Sequence, residues 1–242
     1  MRRFKLFRFS KGFYYVMISI TIFIVGSAVS YADSSTVWDR SSYASYTHES
    51  FKLYGPANRA IDLENINYPL LNAAIFYETN NMREKHRKEP FQHSAALEKA
   101  AVLHSRDMAE KGFFSHTNPF NAQRETPSMR MALYGVIEGY RGENITEAFG
   151  IQYKPGSPLI PPENGDKLFR DYTTGDAIKP HTYNSFAEAV VAGWMESPPH
   201  RENILNIHFK FLGCGAWHFE NRSFFNMDQF KVTQCFGSQV PD

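Results

Sequence analysis

Three stretches of this 242-residue chain carry side chains that can move protons or hold a cation. In Gly112-Phe113-Phe114-Ser115-His116-Thr117-Asn118-Pro119 a glycine stops a helix, two aromatics can anchor the chain, and an imidazole follows before a turn. Gly142-Glu143-Asn144-Ile145 holds a carboxylate in a short stretch bounded by a glycine and an isoleucine. The third, Trp194-Met195-Glu196-Ser197-Pro198-Pro199-His200-Arg201-Glu202-Asn203-Ile204-Leu205, places His200 at the opening of a helix. An imidazole and a carboxylate suffice for general acid–base work or for part of a metal site. Covalent chemistry needs more, and no nucleophile with an adjacent base can be assigned. His-Glu-x-x-His, Gly-x-Ser-x-Gly, the phosphate-cradling glycine loop and the dinucleotide fingerprint do not occur. Two other histidines have simpler readings. His104 lies on the apolar stripe of a helix and reads as a hydrogen-bonded core residue, and His86 sits in a solvated charge run.

The elements that must position these groups follow from periodicity. From Tyr68, Leu71, Ala74, Ile75, Glu78 and Met82 step at three and four, with Pro69 suited to a first turn. A second helix is capped by Ser94, carries Leu97, Ala100, Ala101, His104 and Met108 on one stripe, and closes at Gly112. A short third helix opens at Thr126-Pro127 and ends at Gly135. Ser185-Phe186-Ala187-Glu188 has capping-box spacing and opens a helix through Phe186, Ala189, Val190, Gly193 and Trp194. Ser197-Pro198-Pro199 ends it and starts another through Ile204 and Leu205. Phe211–Phe219 and Phe230–Gly237 read as strands. Helices followed by a terminal strand pair predict an α/β sandwich.

Charge is unevenly placed. Residues 1–32 hold Arg2, Arg3, Lys5, Arg8 and Lys11 and no acid, so the remainder carries 21 basic against 25 acidic residues. That balance argues against nucleic acid as a partner. The uncharged run Phe13 to Val29 followed by Ser30-Tyr31-Ala32 reads as a signal peptide over 1–32, cleaved after Ala32. The competing reading is an uncleaved anchor, but 17 helical residues span about 25 Å, short of a hydrocarbon core of about 30 Å. Either way the body is exported, to the periplasm or beyond, with no stable membrane span after cleavage. Residues 33–65 read as a linker or loosely packed N-terminal extension, 66–242 as the folded domain, and 150–184, rich in proline, as an inserted loop.

Taken in order, Ala100-Ala101 with His104-Ser105 and Asp107-Met108-Ala109, Phe114-Ser115-His116, Gly142-Glu143-Asn144-Ile145, Trp194 with Ser197-Pro198-Pro199-His200-Arg201 and Asn203-Ile204-Leu205, Gly213-Cys214-Gly215, and Thr233-Gln234-Cys235-Phe236-Gly237 resemble the CAP superfamily. These are the cysteine-rich secretory, antigen 5 and pathogenesis-related 1 proteins, or SCP domains, and the short bacterial branch is the nearer likeness. The resemblance covers about Tyr68 to Ser238. It implies a three-layer α-β-α sandwich with a central cleft, where many members hold a divalent cation such as zinc on two histidines and two glutamates.

His116 and Glu143 match two of those positions. Ser197 stands at the third, the glutamate three residues after the tryptophan, and Lys231 at the fourth, a histidine. At 100° per residue Ser197 falls near the centre of the stripe, while Glu196 lies about 80° to its side. The set is half replaced, and an ammonium beside His116 opposes a dication, so no cofactor is certain and zinc is disfavoured. His200 has two readings of equal weight, a substitute ligand or a residue bonded to backbone at its helix start. The resemblance points to a non-enzymatic binding or interaction module of the cell envelope or extracellular space. Its partner would be a small hydrophobic, lipid- or sterol-like ligand, an envelope component or another protein. The second reading is a cleft hydrolase acting on peptide or cell-wall material, with His116 as general base oriented by Glu143. The third is structural, the pair merely tying two loops. Cys214 and Cys235, in the two terminal strands of an exported chain, are expected to form one disulfide, the alternative being two buried free thiols.

Overall fold

The computed structural model describes residues 38–163 and 168–241, and the signal segment over 1–32 lies outside the described residues. The helices are α1 (His48–Lys52), α2 (Tyr68–Lys85), α3 (Ala95–Lys111), α4 (Pro127–Ala132), α5 (Tyr183–Glu196) and α6 (Pro198–Leu205). The strands are β1 (Gln92–His93), β2 (Arg141–Phe149), β3 (Leu159–Ile160), β4 (Arg170–Asp171), β5 (Phe211–Asn221) and β6 (Met227–Gly237). Four strands make one sheet in the order β1-β5-β6-β2, with β1 parallel to β5 and the other pairs antiparallel. The protein is thus a three-layer α-β-α sandwich. On one face α2 and α5 bury Leu71, Ile75, Phe186, Val190 and Trp194 against Ala216, Phe230, Val232 and Phe236. On the other, α3 and the α4 region bury Leu97, Ala100, Ala101, Met131 and Val136 against Cys235. Among the described residues no helix is long and apolar enough to cross a membrane.

The helix signals act locally as their chemistry requires. Asn67 caps α2 with Pro69 in its first turn, Ser94 accepts from Leu97 N at the start of α3, and Gly112 ends α3 at φ 68. Helix α5 begins earlier than expected. Its capping box is Thr182 with Ser185, whose hydroxyls accept from each other's backbone amides, so Ser185 lies inside the first turn. Ser197 is not on the α5 stripe either. Its extended backbone (ψ 115) makes it the C-cap of α5 and the N-cap of α6. Glu143 lies in the nine-residue strand β2.

Segment 33–65 was expected to be a linker or loose extension, yet from Trp38 onward it is part of the fold. Trp38 is 3% exposed, Phe51 1% and Ile61 2%. The Trp38 ring meets Tyr43, Phe51 and Tyr77 edge-on at 5.6, 5.2 and 6.1 Å. The insertion at 150–184 carries the β3–β4 hairpin and buries Ile151 and Phe169 against Met227.

The expected disulfide is absent, and the register explains why. Cys235 lies opposite Gly213, whereas Cys214 lies opposite Gln234. Neighbouring positions along a strand point to opposite faces, so Cys235 joins the α3 core and Cys214 the α2/α5 core. Two thiols separated by the sheet cannot be bridged, and both are free and buried. Burial pushes both thiols well above the usual range. We therefore expect neither to react with iodoacetamide in the native protein and both to react in denaturant without reductant, read by intact mass.

Helix α3 lies directly on β5. A Cβ at Gly213 would stand 1.9 Å from Glu98 N, and one at Gly215 2.3 Å from Val102 N. Both obstacles are backbone, so neither side chain nor rotamer can give way. Gly215→Ala is expected to destabilise the protein by about 3 kcal/mol or more, measured by denaturant unfolding.

Candidate functional site

At the edge strand β2, Glu143 is 8% exposed and is the point on which three elements converge. Arg130 of α4, fully buried, sends Nη2 to both carboxylate oxygens, at 3.0 and 2.8 Å. His116 Nδ1 lies 2.8 Å from Oε1. His104 Nε2 of α3 stands 3.9 Å from the same oxygen and donates to Ser115 O at 3.0 Å. A carbonyl only accepts, so Nε2 carries the proton and Nδ1 is a buried lone pair with no partner. Burial holds His104 down to about 4, with Glu143 pulling the other way and Arg130 adding to the depression.

The loop carrying His116 is held from below. Asp107 of α3 accepts from Asn118 Nδ2 at 2.9 Å and from Arg124 Nη2 at 2.8 Å. Burial raises the Asp107 pKa and Arg124 opposes that rise. Arg130 also donates to the carbonyls of His116, Arg124 and Glu125. His116 is therefore fixed at its backbone and at Nδ1, while its side chain stays 50% exposed. Its Nε2 has no hydrogen-bond partner among the described residues and faces outward as an acceptor whenever Nδ1 carries the proton toward Glu143.

The other expected site residues are placed unequally. The start of α6 is tied to β2, because Asn144 Nδ2 donates to His200 O and Asn203 Nδ2 to Asn144 Oδ1. The half-buried His200 ring has no hydrogen-bond partner among the described residues; burial first, and His116 second, lower its pKa. Ser197 makes no side-chain capping bond. Lys231 does not stand free beside His116. It pairs with Glu147, its neighbour across the β2–β6 ladder, and lies under Phe114 and Phe219 at 5.2 and 4.8 Å. Glu143 is four residues along that strand, about 13 Å at strand rise.

These residues do not fit the four-ligand cation site that the resemblance implies. Glu143 already accepts from a buried guanidinium, Ser197 offers a hydroxyl in place of a carboxylate, and the Lys231 ammonium has no lone pair to give. Nor does any hydroxyl or thiol among the described residues bond to His116 Nε2, so a nucleophile–base pair is not formed. Arg130 is the central residue that the sequence leaves unmarked. Helix α4 has only six residues, too short for a period, and an arginine there reads as a solvated charge. Asn144, an Asn-x-Thr acceptor by sequence, is fully buried and bonded to Gln234 and His200.

The sequence profile of the cysteine-rich secretory protein family (CAP) matches residues 76–236. The protein YkwD of Bacillus subtilis, itself uncharacterized, is 29% identical over 137 residues, which are 57% of this chain and 38% of that one. An extracellular SCP-domain protein of Bacillus anthracis superposes at TM-score 0.48 with 23% identity, over 72% of this chain and 42% of that one. An outer surface protein of Borrelia burgdorferi does so at 0.44 with 18% identity, over 74% and 97%.

One pH effect follows from His104. The neutral ring suits the folded state, so its contribution is full above the ordinary histidine value of 6.5 and is lost as pH falls from there through about 4. By linkage the loss is about 3 kcal/mol at most. The fall in Tm between pH 7 and pH 4 is expected to be smaller in His104→Gln than in the wild type, measured by calorimetry.

Proposed function

Because the chain belongs to the cysteine-rich secretory protein (CAP) family, we propose that it works as an exported, non-enzymatic binding module with its ligand site in the cleft beside His116. One observation carries this reading: the Glu143 carboxylate is engaged by the buried Arg130, which leaves His116 Nε2 and the neighbouring His200 ring as the groups on offer. Nearby, Phe114 is 48% exposed and Phe120 60%. Exposed aromatic surface next to one fixed imidazole suits a ligand with an apolar body and a polar head, lipid- or sterol-like, more than a cation. The basic start and apolar run over 1–32 support export, to the periplasm or the medium.

Native mass spectrometry of the protein recovered from its own host is expected to show a retained non-covalent ligand, and His116→Ala is expected to lower its occupancy several-fold. An empty wild type would count against the reading.

A second reading rests on the 2.8 Å His116–Glu143 bond, which has the geometry of a general base with its orienting carboxylate. In that case purified peptidoglycan or peptide would be cleaved by the wild type and not by His116→Ala. No turnover by either would leave the binding module.

A further inference from the structure

Outside the cleft, a second group of cation-ligating side chains lies where the N-terminal segment meets α2. His48 and Glu49 open α1, and Glu84 lies in the last turn of α2. Each offers one ligating atom, and the three atoms lie within 4.8 Å of one another. We propose that His48, Glu49 and Glu84 form a divalent-cation site, of a chemistry suited to zinc, that clamps residues 38–65 onto the end of α2.

The charges around the cluster support this. Glu84 is bound by His48 Nε2 at 2.5 Å, and Glu49 has no ion-pair partner among the described residues. Of the neighbouring cations, Lys52 reaches Glu78 at 3.5 Å, Arg83 is spent on the carbonyls of Glu89, Ile204 and Asn206, and Lys85 turns to Met82 Sδ at 3.7 Å. Neither carboxylate is thus ion-paired with a lysine or arginine, and Glu84 stands at a helix C-terminus whose free carbonyls also favour positive charge. The cleft shows the opposite condition, since there a buried arginine already occupies the carboxylate.

The donor chemistry is suitable as well. One imidazole and two carboxylates are ordinary zinc ligands, and three protein ligands leave a fourth position for water. Tetrahedral zinc with bonds of 2.0–2.1 Å sets its donors about 3.3 Å apart. With every separation within 4.8 Å, at most about 1.5 Å must close, which the exposed side chains of Glu49 and Glu84 can do by rotamer change. His48 also lines a groove of about 600 Å³ with Tyr43, Tyr46, Tyr77 and His93, so a bound ion would fix one wall of that groove.

The test is calorimetric titration of zinc chloride into the untagged full chain, with Tm followed in parallel. The wild type is expected to bind one zinc with Kd of about 1–10 μM. Its Tm should rise by about 5 °C at saturating zinc. Glu84→Gln and His48→Ala are expected to weaken binding at least tenfold and to abolish the zinc-dependent rise. Glu84→Gln is near-isosteric, and an unchanged zinc-free Tm for it would show that the fold is kept. His116→Ala is expected to bind zinc as the wild type does. No zinc binding by the wild type at 100 μM would overturn the proposal. So would binding lost in His116→Ala but kept in Glu84→Gln, which would return the ion to the cleft.

Discussion

Helix α3 rests on strand β5 with backbone against backbone, at Gly213 and Gly215, and the placement of the α3 groups that hold the His116 loop follows from that contact. Without side chains between them, Ser105 Oγ reaches Gly215 O at 2.9 Å and Thr233 Oγ1 at 2.8 Å, stitching α3 to both central strands. One residue earlier, His104 is aimed at the loop that carries His116. Two residues later, Asp107 anchors the same loop through Asn118 and Arg124. A helix standing off by the usual thickness of a side-chain layer would carry these groups several ångströms out of reach. The glycines therefore act as spacers of zero thickness, and the site is built in the distance they save.

Charge compensation then decides what the site can do. A carboxylate buried to the extent of Glu143 needs a partner, and Arg130 supplies one from a fully buried position. The pair holds α4, the His116 loop and β2 together, because the same guanidinium also takes three backbone carbonyls. Farther along the ladder, Glu147 does the same for Lys231. Where the family pattern places cation ligands, this chain has ion pairs that are already closed. What remains open is the outward edge of the His116 imidazole, with the His200 ring near it, and the exposed aromatic surface of Phe114 and Phe120.

The N-terminal segment belongs to the fold for a different reason. Trp38, Tyr43, Tyr46, Phe51 and Tyr54 step by five, three, five and three, which is not the strand period of two, and the elements in this stretch are five residues long or shorter. They pack on one another and, through Tyr77 and Phe76, on α2.

Much of the architecture was legible in the chain itself. Residues that act on their own neighbours, such as Ser94, Gly112 and Thr126 at helix ends, behave as their local chemistry requires, and so do the apolar stripes of α2 and α3, whereas in α5 Ala189 and Gly193 are exposed and Ala187 and Val191 are buried instead. The spaced motifs around His116 and Glu143 likewise marked residues that meet, 27 positions apart. Other features depend on which face or register a residue takes, and a one-residue difference there reverses the outcome. Cys214 and Cys235 sit in adjacent strands yet on opposite faces, so proximity in the ladder did not make a disulfide. Lys231 has its charge paired by Glu147, a partner 84 residues away that only strand pairing brings near. Arg130 is an ordinary arginine in a short helix until burial against Glu143 makes it the residue that ties α4, the His116 loop and β2 together. Caps and periodicity are local and can be read from spacing. Pairing partners, facing and burial are properties of the assembled layers, and the tertiary structure alone decided them.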